Sequence, residues 1–170
     1  ASRSRRARVR AYVRRAVHTV ALSDEAAATL TEYLGVPADR ITVIPNGVPT
    51  RQFIPVTPEQ RAAARRQLSL PEDGHVVLYV GALVPEKGVD TAILAIAALP
   101  DVHLAVVGDG SQASQLRDLA QRSAPGRVHF LGARDDVLPA FAAADSFVLV
   151  SHTESMPASL IEAGLCALPS

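Results

Sequence analysis

The chain has 170 residues, 48% of them hydrophobic, and no net formal charge. That is enough chain to bury one core and too little for two full-sized domains. A single cysteine, Cys166, excludes an internal disulfide and a thiolate metal cluster and fits a reducing, cytoplasmic setting. No apolar run approaches the roughly 18 residues that cross a bilayer. The opening ASRSRR lacks the apolar core of a secretory signal, so the expected product is soluble.

The zero total hides an asymmetry. Residues 1–16 carry seven arginines (Arg3, Arg5, Arg6, Arg8, Arg10, Arg14 and Arg15) and no acid, which leaves the rest of the chain acidic by seven. A helix here, with Val9, Tyr12, Val13 and Ala16 on one side, fits either an anionic lipid or nucleic-acid surface or a solvated face beside another part of a larger protein. The short, poorly aromatic stripe favours the solvated face. Aromatics at 4% of the whole argue against base stacking, and nucleic acid is discounted as a partner.

After this helix, HTVALS (His18 to Ser23) predicts a short buried strand ending at an N-cap serine. Asp24 and Glu25 then start a helix that runs to about Leu34, where they complement its dipole. ITVIP (Ile41 to Pro45) predicts a second strand, closed by the turn pair Asn46-Gly47. TPEQ supplies Thr57 as cap, Pro58 at the first helical position and Gln60 to complete a capping box, for a helix ending near Leu70 to Gly74. From His75 onward the strands HVVLYV, VHLAVV, RVHFL and DSFVLV alternate with helices beginning near Gly88, Ser111, Asp136 and Pro157. Strand and helix in alternation dictate right-handed crossovers and a parallel sheet covered on both faces: an α/β, doubly wound, Rossmann-like domain.

Ligands of such sheets bind beyond the carboxyl ends of the strands. The loops there are GALVPEKG, GDGS, GARD and SHTESMP, which hold most of the glycines and isolated charges of this half. Lys87, in the first loop, is the only lysine among seventeen basic residues, and a compact ammonium in a strand-to-helix loop suits phosphate. GDGS followed by Ala113 resembles the dinucleotide fingerprint, yet it follows the second strand of the repeat and no ribose-binding acid ends the next strand. Its glycines read instead as points of close approach for a ligand or a neighbouring backbone, with Ser111 capping the next helix. A nicotinamide-dependent oxidoreductase is the weaker reading.

Glu154 follows the fourth strand and Glu162 lies more than one turn into the next helix, so the two acids address separate parts of a long ligand. A carboxylate accepts two hydrogen bonds from a vicinal diol, so one acid suits a hexose and the other a ribose. Between them, the backbone amides of Met156, Ala158 and Ser159 at a helix N-terminus offer a place for the diphosphate joining two sugars. Together these describe a nucleotide sugar; taken singly, they describe a capping acid and a surface acid.

HTVALSDEAAATL, ITVIPNGV followed by Phe53, VVLYVGALVPEKGVD, LAVVGDG, VHFLGARDDVLPAFAAAD and ESMPASLIEA occur in that order, continuously from His18. With them the chain resembles the C-terminal, donor-binding part of a retaining glycosyltransferase of the GT-B fold, the group 1 type that includes sucrose and glycogen synthases and mannosyltransferases. PNGV, the EKG loop and the pair of glutamates eight positions apart are the specific part of the likeness. The resemblance implies that Glu154 contacts donor-sugar hydroxyls and steadies charge at the anomeric centre, as the catalytic residue. By the same likeness Glu162 binds the ribose, Lys87 the diphosphate, and the backbone at Gly132 and Ala133 the base. Gly81, Gly110, Ser155, Met156, Pro157 and Ala158 complete the donor-binding set, and Asn46 and Gly47 fall at the junction between lobes. Residues 1–50 correspond to a remnant of the acceptor lobe and its linker, and 51–170 to an incomplete nucleotide-sugar lobe lacking its last strands. No cofactor or metal is implied beyond the nucleotide-sugar donor, in keeping with the lack of any D-x-D motif. The implied acceptor is a carbohydrate or a lipid-linked molecule, with peripheral membrane contact through the basic helix as one option.

Three positions depart from the family pattern: Ala82 stands where arginine usually follows the first-loop glycine, Ser155 replaces a glycine after the first acid, and Ala167 replaces a glycine late in the last helical segment. Loss of a cation facing a leaving diphosphate removes a transition-state contact. With one lobe mostly missing, the piece alone is expected to be inactive, and DSFVLV to present an open edge. A nucleotide-sugar epimerase or a phosphorylase on the same fold is a related alternative, although Lys87 is on the wrong loop for a pyridoxal lysine. A non-catalytic nucleotide-sugar-binding remnant, or an interaction domain, is the alternative of a different class, favoured by Ala82.

Overall fold

A computed structural model describes residues 3–13, 15–154 and 156–170, with backbone alone for residues 3–6. Its contacts divide the chain into two compact units, one of residues 1–47 with Glu154–Pro157, the other of Val48–Thr153 with Ala158–Ser170. Ser155 and Arg14 lie outside the described residues.

In the first unit, helix α1 (Arg3–Val13) is followed by strand β1 (Thr19–Ala21), helix α2 (Asp24–Leu34), a 3-10 turn (Ala38–Arg40) and strand β2 (Ile41–Val43). Strands β1 and β2 pair in parallel, Thr19 opposite Ile41 and Ala21 opposite Val43. The cap predicted at Ser23 is present, its hydroxyl accepting from the Ala26 N–H at 3.1 Å. Gly35 ends α2 in the left-handed region, φ 69°, where its N–H bonds back to the last turn. Both strands are shorter than predicted, and Asn46-Gly47 forms no turn: residues 44–49 run as irregular chain. The Asn46 side chain and N–H are engaged elsewhere, as described below. Helix α1 stops at Val13, so Ala16 falls outside the stripe expected of it, and Tyr12 is 80% exposed.

The second unit comprises α3 (Pro58–Gln67), β3 (His75–Val80), α4 (Val89–Ala97), β4 (Val102–Val107), α5 (Ala113–Ser123), β5 (Val128–Gly132), α6 (Leu138–Ala143), β6 (Ser146–Phe147) and α7 (Ala158–Leu165). All strand pairs are parallel, in the order β5-β4-β3-β6. This is the doubly wound arrangement expected from the alternation of strands and helices. Thr57 and Gln60 form the full capping box at the start of α3.

Period-two alternation assigns the strand side chains to two faces. Val76, Leu78, Ala105, Val107 and Phe147 pack with Phe53, Phe141 and Ala163 on one, while Tyr79, Leu104 and Val106 pack with Val89, Ile93, Leu116 and Ala120 on the other. Phe141 meets Phe53 edge-on with ring centroids 5.4 Å apart and lies near-parallel to Phe147 at 6.0 Å. Helices thus cover both faces, and the strand-end loops are left as the open edge.

Two expectations change here. The strand predicted over DSFVLV is only Ser146–Phe147: its ladder with β3 closes when the Val148 N–H donates to Leu78. Its outer edge is not open at Phe147, whose N–H donates to the Pro169 carbonyl at 2.8 Å. Ser111 does not cap α5; Gln112 occupies that position, and its N–H and that of Ala113 are taken by the carbonyls of Leu83 and Gly110. Two backbone acceptors, Leu83 O from a neighbouring loop and Gly110 O from the same one, do the work predicted for the hydroxyl.

Candidate functional site

The loops at the carboxyl edge of the second unit are bound to one another through their backbones. Gly81 N–H donates to Val107 O (3.0 Å), Leu83 N–H to Asp109 O (2.9 Å), and Gly108 N–H to Gly132 O (2.9 Å), so the loops after β3, β4 and β5 form one layer. The loop after β6 joins them through His152 N–H to Glu86 O, 3.0 Å. Glycines make this stacking possible. A Cβ on Gly108 would overlap the Gly81 carbonyl and one on Gly110 the Leu83 carbonyl, while one on Gly88 would lie 2.5 Å from the Val150 carbonyl. The glycines of GDGS therefore serve the approach of a neighbouring backbone, the second of the two uses expected for them.

Gly81 closes β3 above the buried Tyr79, whose hydroxyl donates to the Ala82 carbonyl at 3.1 Å and fixes the start of the loop. The sequence signals this role of Tyr79 only in that it is the one side chain in HVVLYV with a hydroxyl. Lys87 ends the 3-10 turn Pro85–Lys87, half-buried, immediately before Gly88 in the left-handed region at φ 62°. Gly132 also has positive φ, 74°, with Ala133 exposed beside it.

Glu162 lies on α7, half-buried, and burial pushes its carboxyl pKa up. One turn on, the Cys166 thiol is also pushed up, first by burial and then by the negative charge of Glu162. Ala158 begins α7. In the first unit, Glu154 is exposed and Met156 and Pro157 are half-buried. There, Asn46 binds Met156 twice: Nδ2 donates to the Met156 carbonyl at 2.8 Å, and the backbone N–H to the Met156 sulfur at 3.1 Å. Gly47 has open space around its Cα and no positive φ. The predicted residue Ser155 is outside the described residues.

The structure thus brings Gly81, Gly110 and Gly132 into one backbone layer, with the turn ending at Lys87 tied to the loop after β6. Asn46 joins the segment that follows Glu154. Among the described residues, no group of three or more His, Cys, Asp or Glu side chains is placed to hold a metal ion, and no helix is long and apolar enough to cross a membrane.

Residues 60–170 match the family described as Glycosyl transferases group 1, and residues 1–52 match Glycosyltransferase Family 4. The GDP-mannose-dependent monoacylated alpha-(1-6)-phosphatidylinositol monomannoside mannosyltransferase of Corynebacterium glutamicum is 36% identical over 139 residues, covering 74% of this chain and 36% of that protein. The D-inositol 3-phosphate glycosyltransferase of Xylanimonas cellulosilytica is 34% identical over 165 residues, covering 88% of this chain and 39% of its own. Among solved structures, Anabaena HepE in complex with UDP and glucose superposes with a TM-score of 0.85 at 28% identity, over 96% of this chain and 47% of HepE. The chain spans a little over a third of the length of these two curated relatives and about half that of HepE.

Proposed function

The chain belongs to the glycosyl transferases group 1 family, and we propose that it carries the donor-binding part of a retaining glycosyltransferase, which in the complete enzyme transfers a glycosyl group from a nucleotide-diphosphate sugar to an acceptor. The observation that carries this reading is the single backbone layer at the carboxyl edge of the sheet, from which Lys87 emerges, in a chain whose α7 holds a half-buried acid, Glu162. It is supported by the UDP and glucose bound to HepE and by the GDP-mannose dependence of the Corynebacterium relative.

In this reading Lys87 meets the diphosphate, Glu162 accepts hydrogen bonds from the ribose diol, and the backbone at Gly132 and Ala133 meets the base. Gly81, Gly110 and residues 155–158 border the diphosphate and sugar. Glu154 accepts from the sugar hydroxyls and stabilises positive charge at the anomeric carbon as the leaving diphosphate departs. Lys87 and the N-terminus of α7 supply positive potential there, so no metal is invoked. The acceptor is a carbohydrate or lipid-linked molecule. The chemistry suits a cytoplasmic enzyme, with peripheral membrane contact through exposed Arg8, Arg10 and Tyr12 of α1.

Ala82 favours a second reading, a non-catalytic nucleotide-sugar-binding or interaction domain, because this departure leaves Lys87 as the single diphosphate side-chain cation in the loop. The complete protein separates the two when incubated with UDP-glucose or GDP-mannose and candidate acceptors. Transfer with the α configuration kept, read by proton NMR of the product, supports the first; a β product contradicts retention, and tight donor binding without turnover identifies the second.

A further inference from the structure

The two hydrogen bonds from Asn46 to Met156 join residues 110 positions apart. They are independent in kind: one uses the carboxamide and ends on a main-chain carbonyl, the other uses the main-chain N–H and ends on sulfur, a weak acceptor. An amide that donates from both its side chain and its backbone to one residue fixes that residue's position and its orientation. Met156 follows Glu154 by two residues, and Glu154–Pro157 groups with residues 1–47, whereas Lys87 and Glu162 belong to the other unit. The segment next to the proposed sugar-binding acid is therefore held by a different part of the chain from the proposed nucleotide contacts.

We propose that Asn46 is a positioning residue for donor-sugar recognition: it clamps Met156 and thereby sets where Glu154 presents its carboxylate. This rests on the donor-site reading above and adds a division of labour to it. Asn46 acts on the sugar end of the ligand and leaves the nucleotide end alone. Asn46→Asp is the sharpest variant, since it preserves size and the backbone N–H but removes the side-chain donor that meets the Met156 carbonyl.

Met156 is the only methionine in the sequence, so its methyl group is a single internal reporter on the clamped segment. The full chain, labelled with [methyl-13C]methionine, is compared with Asn46→Asp by NMR, and both are titrated with UDP, GDP, UDP-glucose and GDP-mannose. The expected result is a Met156 methyl resonance that moves toward the free-methionine position in the variant. The affinity for the nucleoside diphosphate stays within about twofold, while the gain in affinity contributed by the sugar falls about tenfold, the scale of one lost hydrogen bond to the segment. Should Asp at this position prevent folding, Asn46→Ser, uncharged and too short to reach, gives the same two readings.

An unmoved methyl resonance overturns the clamp. A moved resonance with the sugar contribution intact overturns the positioning role, and so does a parallel loss of nucleotide affinity, the mark of a merely structural residue. Failure of the parent to bind any of the four ligands defeats the donor-site reading and the positioning role together, while the methyl signal still reports on the clamp by itself.

Discussion

The backbone of Gly108 lies against the carbonyl oxygen of Gly81, close enough that a single added carbon would overlap it. This contact and the matching one between Gly110 and Leu83 hold the strand-end loops together, so alanine at Gly108 is expected to destabilise the chain by about 3 kcal/mol, the upper end of overpacking costs. Gly47→Ala meets open space at an ordinary φ and is expected to stay within about 0.5 kcal/mol of the parent. Urea unfolding midpoints of the two variants check the contrast.

Arg65, 5% exposed, is the only charged residue among the described ones to be buried. It donates to Ala143 O, Glu72 O and Gly74 O and forms an ion pair with Asp145, which also accepts from the Val76 N–H at 2.8 Å. One arginine thus fastens α3 to the start of both β3 and β6. Arg65→Met leaves three carbonyls without their donor, while Asp145 keeps the Val76 N–H and Arg61 at 3.3 Å, and the change is expected to cost about 3 kcal/mol in equilibrium unfolding. Arg65→Lys, with no planar fork, should recover only part of this.

Ala167 sits at φ 56°, in the left-handed region, where the Leu168 N–H bonds back to Ala163 O at 3.0 Å to close α7. The family's usual glycine fits this conformation without the Cβ penalty, and alanine bears it. Ala167→Gly is expected to raise stability by about 0.5–1 kcal/mol, seen as a higher melting temperature; an unchanged or lower one counts against the helix-cap account.

Two pH effects of opposite sign follow from burial. His103 Nδ1 and His129 Nε2 lie 3.2 Å apart on neighbouring strands, and both pKa values are lowered from 6.5. For His103 the causes are burial, then the charges of Arg127 and Arg65; for His129 they are burial, then His103. The unfolded chain therefore binds more protons below pH 6.5, so stability is full above that pH and falls as the pH drops through it. Glu162 has its pKa raised above 4.5, so the folded chain holds its proton longer, and stability declines as pH rises from 4.5 through the raised value. Unfolding midpoints measured from pH 4.5 to 7.5 should show a shallower acid-side loss in His103→Asn/His129→Asn. Glu162→Gln should gain relative to the parent on going from the acid end to neutrality.

Much of this fold was legible because its signals are local and repeated. Strands β3 and β4 have the ends that HVVLYV and VHLAVV gave them, and the caps at Ser23 and Thr57 rest on side chains three residues from their targets. What escaped was set by long-range contacts. Ser111 has no capping role because the Gln112 N–H is taken by the Leu83 carbonyl, from another loop, and the Ala113 N–H by the Gly110 carbonyl. Asn46-Gly47 reads as a turn by composition, but Asn46 is engaged by Met156, far along the chain. DSFVLV promised six strand residues and formed two: its pairing with β3 ends at Leu78, although β3 runs on to Val80, and nothing in the apolar run marks that point. For the site, the loops could be chosen from topology alone, whereas the backbone layer and the support from Tyr79 depend on distances that no spacing encodes.

The central claim is that this chain binds a nucleoside diphosphate with Glu162 on the ribose. Calorimetric titration with UDP, GDP and ADP, repeated on Glu162→Ala, tests it most directly. The account predicts saturable binding of one nucleotide that weakens about 10–100-fold in the variant, as expected for hydrogen bonds to a charged acceptor. A folded parent that binds none of the three, or a variant that binds as tightly as the parent, would contradict it.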